Sequence, residues 1–154
     1  MRFVGRLGRN ASRRDATRHD LDATRATLDV VLAHARRYGR PVSLVRFRTE
    51  RRDVERAYTT ISATARAGEI VWTDSSAVCL AALEGTPESA AGTAARLTAR
   101  LHERGISVVH QYAVFPEHGL TLDGVIAALD ESIATRRGFV VNDDTDSFDL
   151  AQEA

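Results

Sequence analysis

The stretch Glu69-Ile-Val-Trp-Thr-Asp-Ser-Ser-Ala-Val-Cys-Leu-Ala-Ala-Leu-Glu-Gly-Thr86 decides how the rest of the chain is read. Two β-rich runs, residues 70–73 and 78–83, flank the polar cluster Asp74-Ser75-Ser76, whose short side chains bond back to the main chain and favour a turn. The spacing predicts a β-hairpin. Directly after it, Thr86 reads as a helix N-cap, Pro87 as a first helical residue whose missing N–H costs nothing there, and Glu88 as a first-turn acid.

Upstream of the hairpin, Leu21, Thr24, Leu28, Val31, Leu32 and Ala35 recur at helical spacing over residues 20–38, until Gly39-Arg40-Pro41 stops the pattern. Residues 42–48 read as a strand with Val42, Leu44, Arg46 and Arg48 on one side and Ser43, Val45 and Phe47 on the other. Val54, Ala57, Tyr58, Ile61 and Ala65 give residues 53–67 a helical face. Downstream, Ala91, Ala94, Leu97 and Leu101 mark the buried stripe of a helix over 87–104 that Gly105 ends. A strand over 106–115, a helix over 122–137 capped by Thr121, and a closing strand Phe139-Val140-Val141 complete the series.

In this order the chain resembles the diguanylate cyclase (GGDEF) family. The family's hairpin segment runs roughly D-L-V-A-R-L-G-G-D-E-F-A-L-L-L-P-G-T and aligns without a gap, so that Ser75-Ser76-Ala77-Val78-Cys79 stand at the Gly-Gly-Asp-Glu-Phe signature. Residues 36–44 are similar to the family's passage from helix to strand, and residues 106–119 to its V-T-V-S-I-G-V-A-T-Y-P-E-D-G, with Gln111 at the small glycine. The resemblance covers residues 20–141 and implies an α/β fold, a nucleotidyl-cyclase-like central mixed sheet of about five strands flanked by helices. Residues 1–19 are then an arginine-rich tail or marginal helix, and residues 142–154 an acidic tail.

The resemblance also implies what is missing. In the family, magnesium lies between an Asp-x-Asp at the end of the first strand and the acids of the signature, and the paired glycines let phosphate approach the backbone. Here Arg48 stands at the first aspartate, Ala77 and Val78 at the acids, and Ser75 and Ser76 at the glycines. A permanent guanidinium charge repels a cation, so no metal, no cofactor and no cyclisation are expected. The family's segment with a guanine-contacting Asn and Asp is absent between Glu50 and the helix at 53.

Recognition without turnover is the expectation that remains. Arg46, Arg48, Gln111 and Arg137, the last at the family's phosphate-contacting lysine, are candidates to line an anion cleft. Arg66-Ala67-Gly68-Glu69 matches, with one conservative change, the R-x-x-D motif by which cyclases bind cyclic di-GMP at an inhibitory site; the same residues also read as a plain helix C-cap. The first expectation is an inactive regulatory module that binds a protein partner or a second copy of itself. Sensing of cyclic di-GMP or another nucleotide through Arg66 and Glu69 is the alternative.

Composition bounds these readings. Of 154 residues, 44% are hydrophobic and 27% charged, which describes one globular domain with a real core. Lysine is absent, and Arg2, Arg6, Arg9, Arg13 and Arg14 face no acid within residues 1–14, while Asp143, Asp144, Asp146, Asp149 and Glu153 crowd the other end. Such ends are ordinarily solvated; a nucleic-acid-binding arm is a further alternative, without aromatic interleaving to support it. The single cysteine, Cys79, excludes an internal disulfide framework and reads as a small buried hydrophobe on its strand. The five histidines show no metal-ligand spacing, Trp72 reads as core or interface, and no spacing fixes Ser75 or Ser76 against His110 as a nucleophile and base. With no apolar run long enough to cross a membrane and no secretory core at the N-terminus, a cytoplasmic protein is expected.

Overall fold

The computed structural model describes residues 21–138, with side chains through residue 131. Its elements are α1 (Leu21–Tyr38), β1 (Val42–Thr49), a single 3-10 turn (Arg51–Asp53), α2 (Val54–Thr64), β2 (Ile70–Asp74), β3 (Ala77–Leu83), α3 (Pro87–Glu103), β4 (Val108–Phe115) and α4 (Leu122–Gly138). The arginine arm, the closing strand Phe139-Val140-Val141 and the acidic tail lie outside the described residues, and so does the side chain of Arg137.

The sheet order is β2-β3-β1-β4, and all three ladders are antiparallel. The α/β architecture is the expected one; among the described residues the sheet is antiparallel throughout, where a mixed sheet was expected. In each of the units β1-α2-β2 and β3-α3-β4 the helix returns the chain so that the second strand runs like the first, but a strand of the other unit is inserted between them. Strands of like direction never touch. Four of the five expected strands are present among the described residues.

Both faces of the sheet are covered. Toward α2 and α3, Val45, Phe47, Val78 and Leu80 pack with Val54, Ala57, Ile61, Ala94, Leu97 and Leu101. Toward α1 and α4, Val42, Leu44, Trp72, Ala81 and Phe115 pack with Leu28, Leu32, Val125 and Leu129. The helical stripe of α1 is the one the spacing predicts, with Thr24, Leu28, Leu32 and Ala35 buried. On α3 the stripe begins at Ala90 rather than Ala91, one position earlier, which sets it on the same side of the helix as Ala94, Leu97 and Leu101. Thr86 caps that helix, accepting the Ser89 N–H at 3.3 Å.

Two boundaries move for local reasons. The helix expected over 53–67 ends at Thr64, since Ala65 is already extended; Thr59, Thr60 and Thr64 each turn a hydroxyl back onto the carbonyl four residues earlier, a habit that weakens helices. The strand expected from 106 starts at Val108. Gly105 adopts φ +70°, and the Ile106 N–H is spent on the Leu101 carbonyl at 3.0 Å, which closes α3 and removes that donor from the ladder.

Candidate functional site

The ladders lay the expected site residues out in rows. Trp72, Cys79, Arg46 and Gln111 are successive cross-strand partners on β2, β3, β1 and β4; one step further along the strands, Asp74, Ala77, Arg48 and Val109 form the rim. Alternation places both rows on the α1 and α4 face, continuous with the apolar row Ile70, Ala81, Leu44 and Ala113. The face thus runs from hydrocarbon to charge within two residues. Around Arg46, β3 contributes the small side chains of Ala81, Cys79 and Ala77 to it.

Arg46 is 3% exposed, a position a guanidinium tolerates only with anionic partners. It has two. Its Nη1 donates to Asp130 Oδ1 on α4 at 2.5 Å, and its Nη2 lies 3.8 Å from Asp74 Oδ2 at the end of β2. Burial works against the charge, but the hydrogen bond to Asp130 and the field of Cys79 and Asp130 outweigh it and hold Arg46 more firmly protonated than an ordinary arginine. Across the strand, burial pushes the Cys79 thiol up to about 11, against the smaller opposing pull of Arg46.

Of the residues expected to line an anion cleft, Arg46, Arg48, Gln111 and Arg137, the first is turned inward, and the side chain of the last lies outside the described residues. Arg46 is a buried clamp joining β1, β2 and α4, its charge already met by two carboxylates. Gln111 is buried beside it, and Arg48 is half-buried at the rim. Sequence reasoning missed the clamp, though it had a signal: an arginine in the middle of a strand buried on both faces must be answered by acids, and Asp74 and Asp130 were the acids available.

The hairpin turns through Ser75 and Ser76 alone, with Asp74 opposite Ala77. Ser75 has φ +49°, a left-handed conformation that glycine adopts without cost and serine does not. The backbone shape of a glycine-led turn persists on a serine. The Thr49 N–H donates to the Ser76 carbonyl at 3.1 Å, and Arg48 lies opposite Ala77, so the end of β1 and the turn are in direct contact. β1 passes to the following 3-10 turn through Glu50 only.

The magnesium that the resemblance implies does not fit these residues. Where its carboxylates belong, the structure has Arg48, Ala77 and Val78, and Asp74 and Asp130 are turned to Arg46. Among the described residues no group of three or more His, Cys, Asp or Glu side chains is arranged to hold a metal ion. The serines gain no base either: His110 falls on the opposite face of β4, where its Nδ1 lies 2.8 Å from Thr98 Oγ1 on α3.

Arg66 and Glu69 are brought together, but as a turn that satisfies itself. The Glu69 carboxylate accepts the Arg66 N–H at 2.7 Å, the Glu69 N–H donates to the Arg66 carbonyl at 3.0 Å, and Gly68 supplies φ +89° between them. The turn follows the end of α2 instead of capping it. The Arg66 side chain is exposed.

Among the described residues four buried polar atoms lack a hydrogen-bond partner: Arg46 Nε, Arg48 Nε, Trp72 Nε1 and Gln111 Oε1. All four belong to the two rows just described. Buried polar groups are otherwise nearly always paired, so this is the end of the molecule where strict satisfaction has been relaxed.

The fold is that of GGDEF domains. Solved structures similar to this chain include a DGC protein from Thermotoga maritima, with TM-score 0.65 and 18% identity over 74% of this chain and 94% of that one. A sensory box/GGDEF family protein from Caulobacter crescentus CB15 superposes with TM-score 0.68 and 12% identity, covering 80% and 97% of the two chains. The isolated GGDEF domain of TpbB, also called YfiN, from Pseudomonas aeruginosa gives TM-score 0.61 and 16% identity over 73% and 81%. No protein-family model and no curated protein sequence matches the chain. At such identities the likeness establishes the fold and carries no activity with it.

Proposed function

We propose that this chain is a cytoplasmic, catalytically inactive regulatory domain of the GGDEF fold, working in cyclic-dinucleotide signalling through contact with another protein or a second copy of itself. One observation carries the reading. At the end of the sheet where such a fold would hold a cation and triphosphate, a guanidinium is buried between Asp74 and Asp130, and a second, Arg48, sits against the signature turn. Phosphoryl transfer needs positive charge there that is free to neutralise a substrate and can be supplied by a metal. Arg46 spends its charge inside the protein, and Arg48 disfavours the metal. Among the described residues no helix is long and apolar enough to cross a membrane.

Incubation of the purified chain with GTP and magnesium, followed by mass spectrometry, is expected to yield no cyclic dinucleotide; a cyclic product would overturn the proposal of inactivity. Titration calorimetry with cyclic di-GMP separates the two recognition readings. No heat is expected, because Glu69 is occupied by its own turn. Micromolar binding that disappears in Arg66→Ala would replace partner binding with ligand sensing.

A further inference from the structure

At the far end of the sheet from the arginine rows lies a groove of about 420 Å³ that the reading above does not use. Ala35 of α1, Phe115 and Pro116 at the end of β4, and Leu120 line it, and Arg36 and Arg40 stand on its rim. Leu120 is 67% exposed, so an apolar wall is presented to solvent. Arg36 donates to the Leu120 carbonyl, and Arg40 pairs with Glu84; both guanidinium groups are therefore held in place at the groove while staying largely solvated. The charged side chains that line the groove are Arg36 and Arg40, and no acid lines it; Glu84, paired with Arg40 from outside the lining, offsets part of that charge.

The matching chemistry is written at the end of the same chain. Asp146-Ser-Phe-Asp-Leu-Ala-Gln-Glu153 carries two large apolar residues, Phe148 and Leu150, set among acids. We propose that this acidic segment docks in cis on the Arg36 and Arg40 groove, with Phe148 and Leu150 against Leu120 and Pro116. The tether allows it. The groove lies at the N-terminal end of α4, whose 17 residues span about 25 Å at the helical rise, and residues 139–147, when extended, reach roughly 30 Å. A tether of this length keeps the segment at an effective concentration on the order of millimolar, so a contact too weak to form between separate chains is occupied within one. The inference stands apart from the proposed function, since it uses neither the arginine rows nor the Arg66 turn.

The test uses the full chain. Cys79 is buried, so Gln152→Cys provides a single reactive thiol for a nitroxide. The amide signals of Gly39, Arg40 and Leu120 are expected to broaden selectively, and to recover in the double variant Phe148→Ala with Leu150→Ala and in the surface variants Leu120→Asp and Arg40→Glu. Added salt should weaken the broadening, because part of the attraction is between solvent-exposed charges. Signals at the groove that stay sharp, or that broaden no more than those of α2, would overturn the proposal. So would broadening that appears only when labelled chains are mixed with isotope-labelled unmodified chains, which would mean docking between copies.

Discussion

The two faces of the sheet obey different rules. Toward α2 and α3 the core buries no charge: Phe47, Ala57, Ile61, Val78, Leu80, Ala94 and Leu101 are fully enclosed, and the polar groups among them, Ser43, Thr60 and the pair Thr98 and His110, are small or hydrogen-bonded. Toward α1 and α4 it is hydrocarbon for half its length and then gives way to Arg46, Gln111, Asp74 and Arg48. The first face needs only shape and burial. The second asks a charge to be buried and, among the described residues, leaves four polar atoms without partners. A fold can lose the chemistry of its second face while the first continues to hold the strands in register. Here the GGDEF fold carries Ser75-Ser76-Ala77-Val78-Cys79 at its hairpin, and the hydrocarbon contacts of the first face bind β1 and β3 to α2 and α3.

The sharpest way to break the comparison is to damage the hydrocarbon face. Phe47→Ala removes a side chain of 0% exposure from the central strand and should cost about 3–5 kcal/mol, read as the shift of a urea unfolding midpoint. On the polar face, Asp130→Ala leaves the buried Arg46 with only the longer contact to Asp74, and about 1–3 kcal/mol should be lost. Asp74→Ala should cost less than about 1 kcal/mol, because Arg46 keeps Asp130. Arg46→Met, which withdraws the buried charge together with its need for partners, should destabilise less than Asp130→Ala. If it costs more, the clamp is a true source of stability and the contrast between the faces fails.

Smaller effects follow from the hairpin and from Cys79. Ser75→Gly relieves the left-handed serine and should raise stability by up to about 1 kcal/mol, unless the turn is held by its side chain. For Cys79, burial lifts the thiol from 9.0 to about 11. The folded chain then keeps a proton that the unfolded chain releases, so this group's contribution to stability is full below pH 9.0 and is lost as pH rises toward about 11. At neutral pH the thiolate is depleted roughly 100-fold relative to a free cysteine, and alkylation should proceed only at the rate of unfolding. Fast labelling of the native chain would show that the Arg46 end of the core is open.

Much of the fold was legible because it rests on local signals. The polar pair Ser75 and Ser76 between β-rich runs, the Thr86-Pro87 start of α3, Gly105 at its end and the Leu28, Leu32, Ala35 stripe each depend on a few neighbouring residues. Misreadings arose where two local tendencies compete, as in the threonine-rich end of α2, or where hydrogen bonds are shared between elements, as at Ile106. The strand order was not legible, because insertion of β3 between β1 and β2 is decided by how the units pack together and by no residue in particular.

The candidate site divides along the same line. The resemblance puts Arg48, Ala77 and Val78 at the family's acidic positions; the ladders set Arg48 opposite Ala77, while Val78 points into the core on the other face of the sheet. The role of Arg46 was not legible. A side chain's charge is a property of the sequence, but whether that charge meets solvent or a carboxylate 84 positions away depends on which helix is laid over the strand. The amino-acid sequence by itself fixed the hairpin, the helices and the chemical identity of the altered turn, since each follows from short-range spacing and residue type. Only the tertiary structure decided that Arg46 is enclosed between Asp74 and Asp130 rather than open to an anion, because burial and Coulomb pairing are set by distances that packing alone determines.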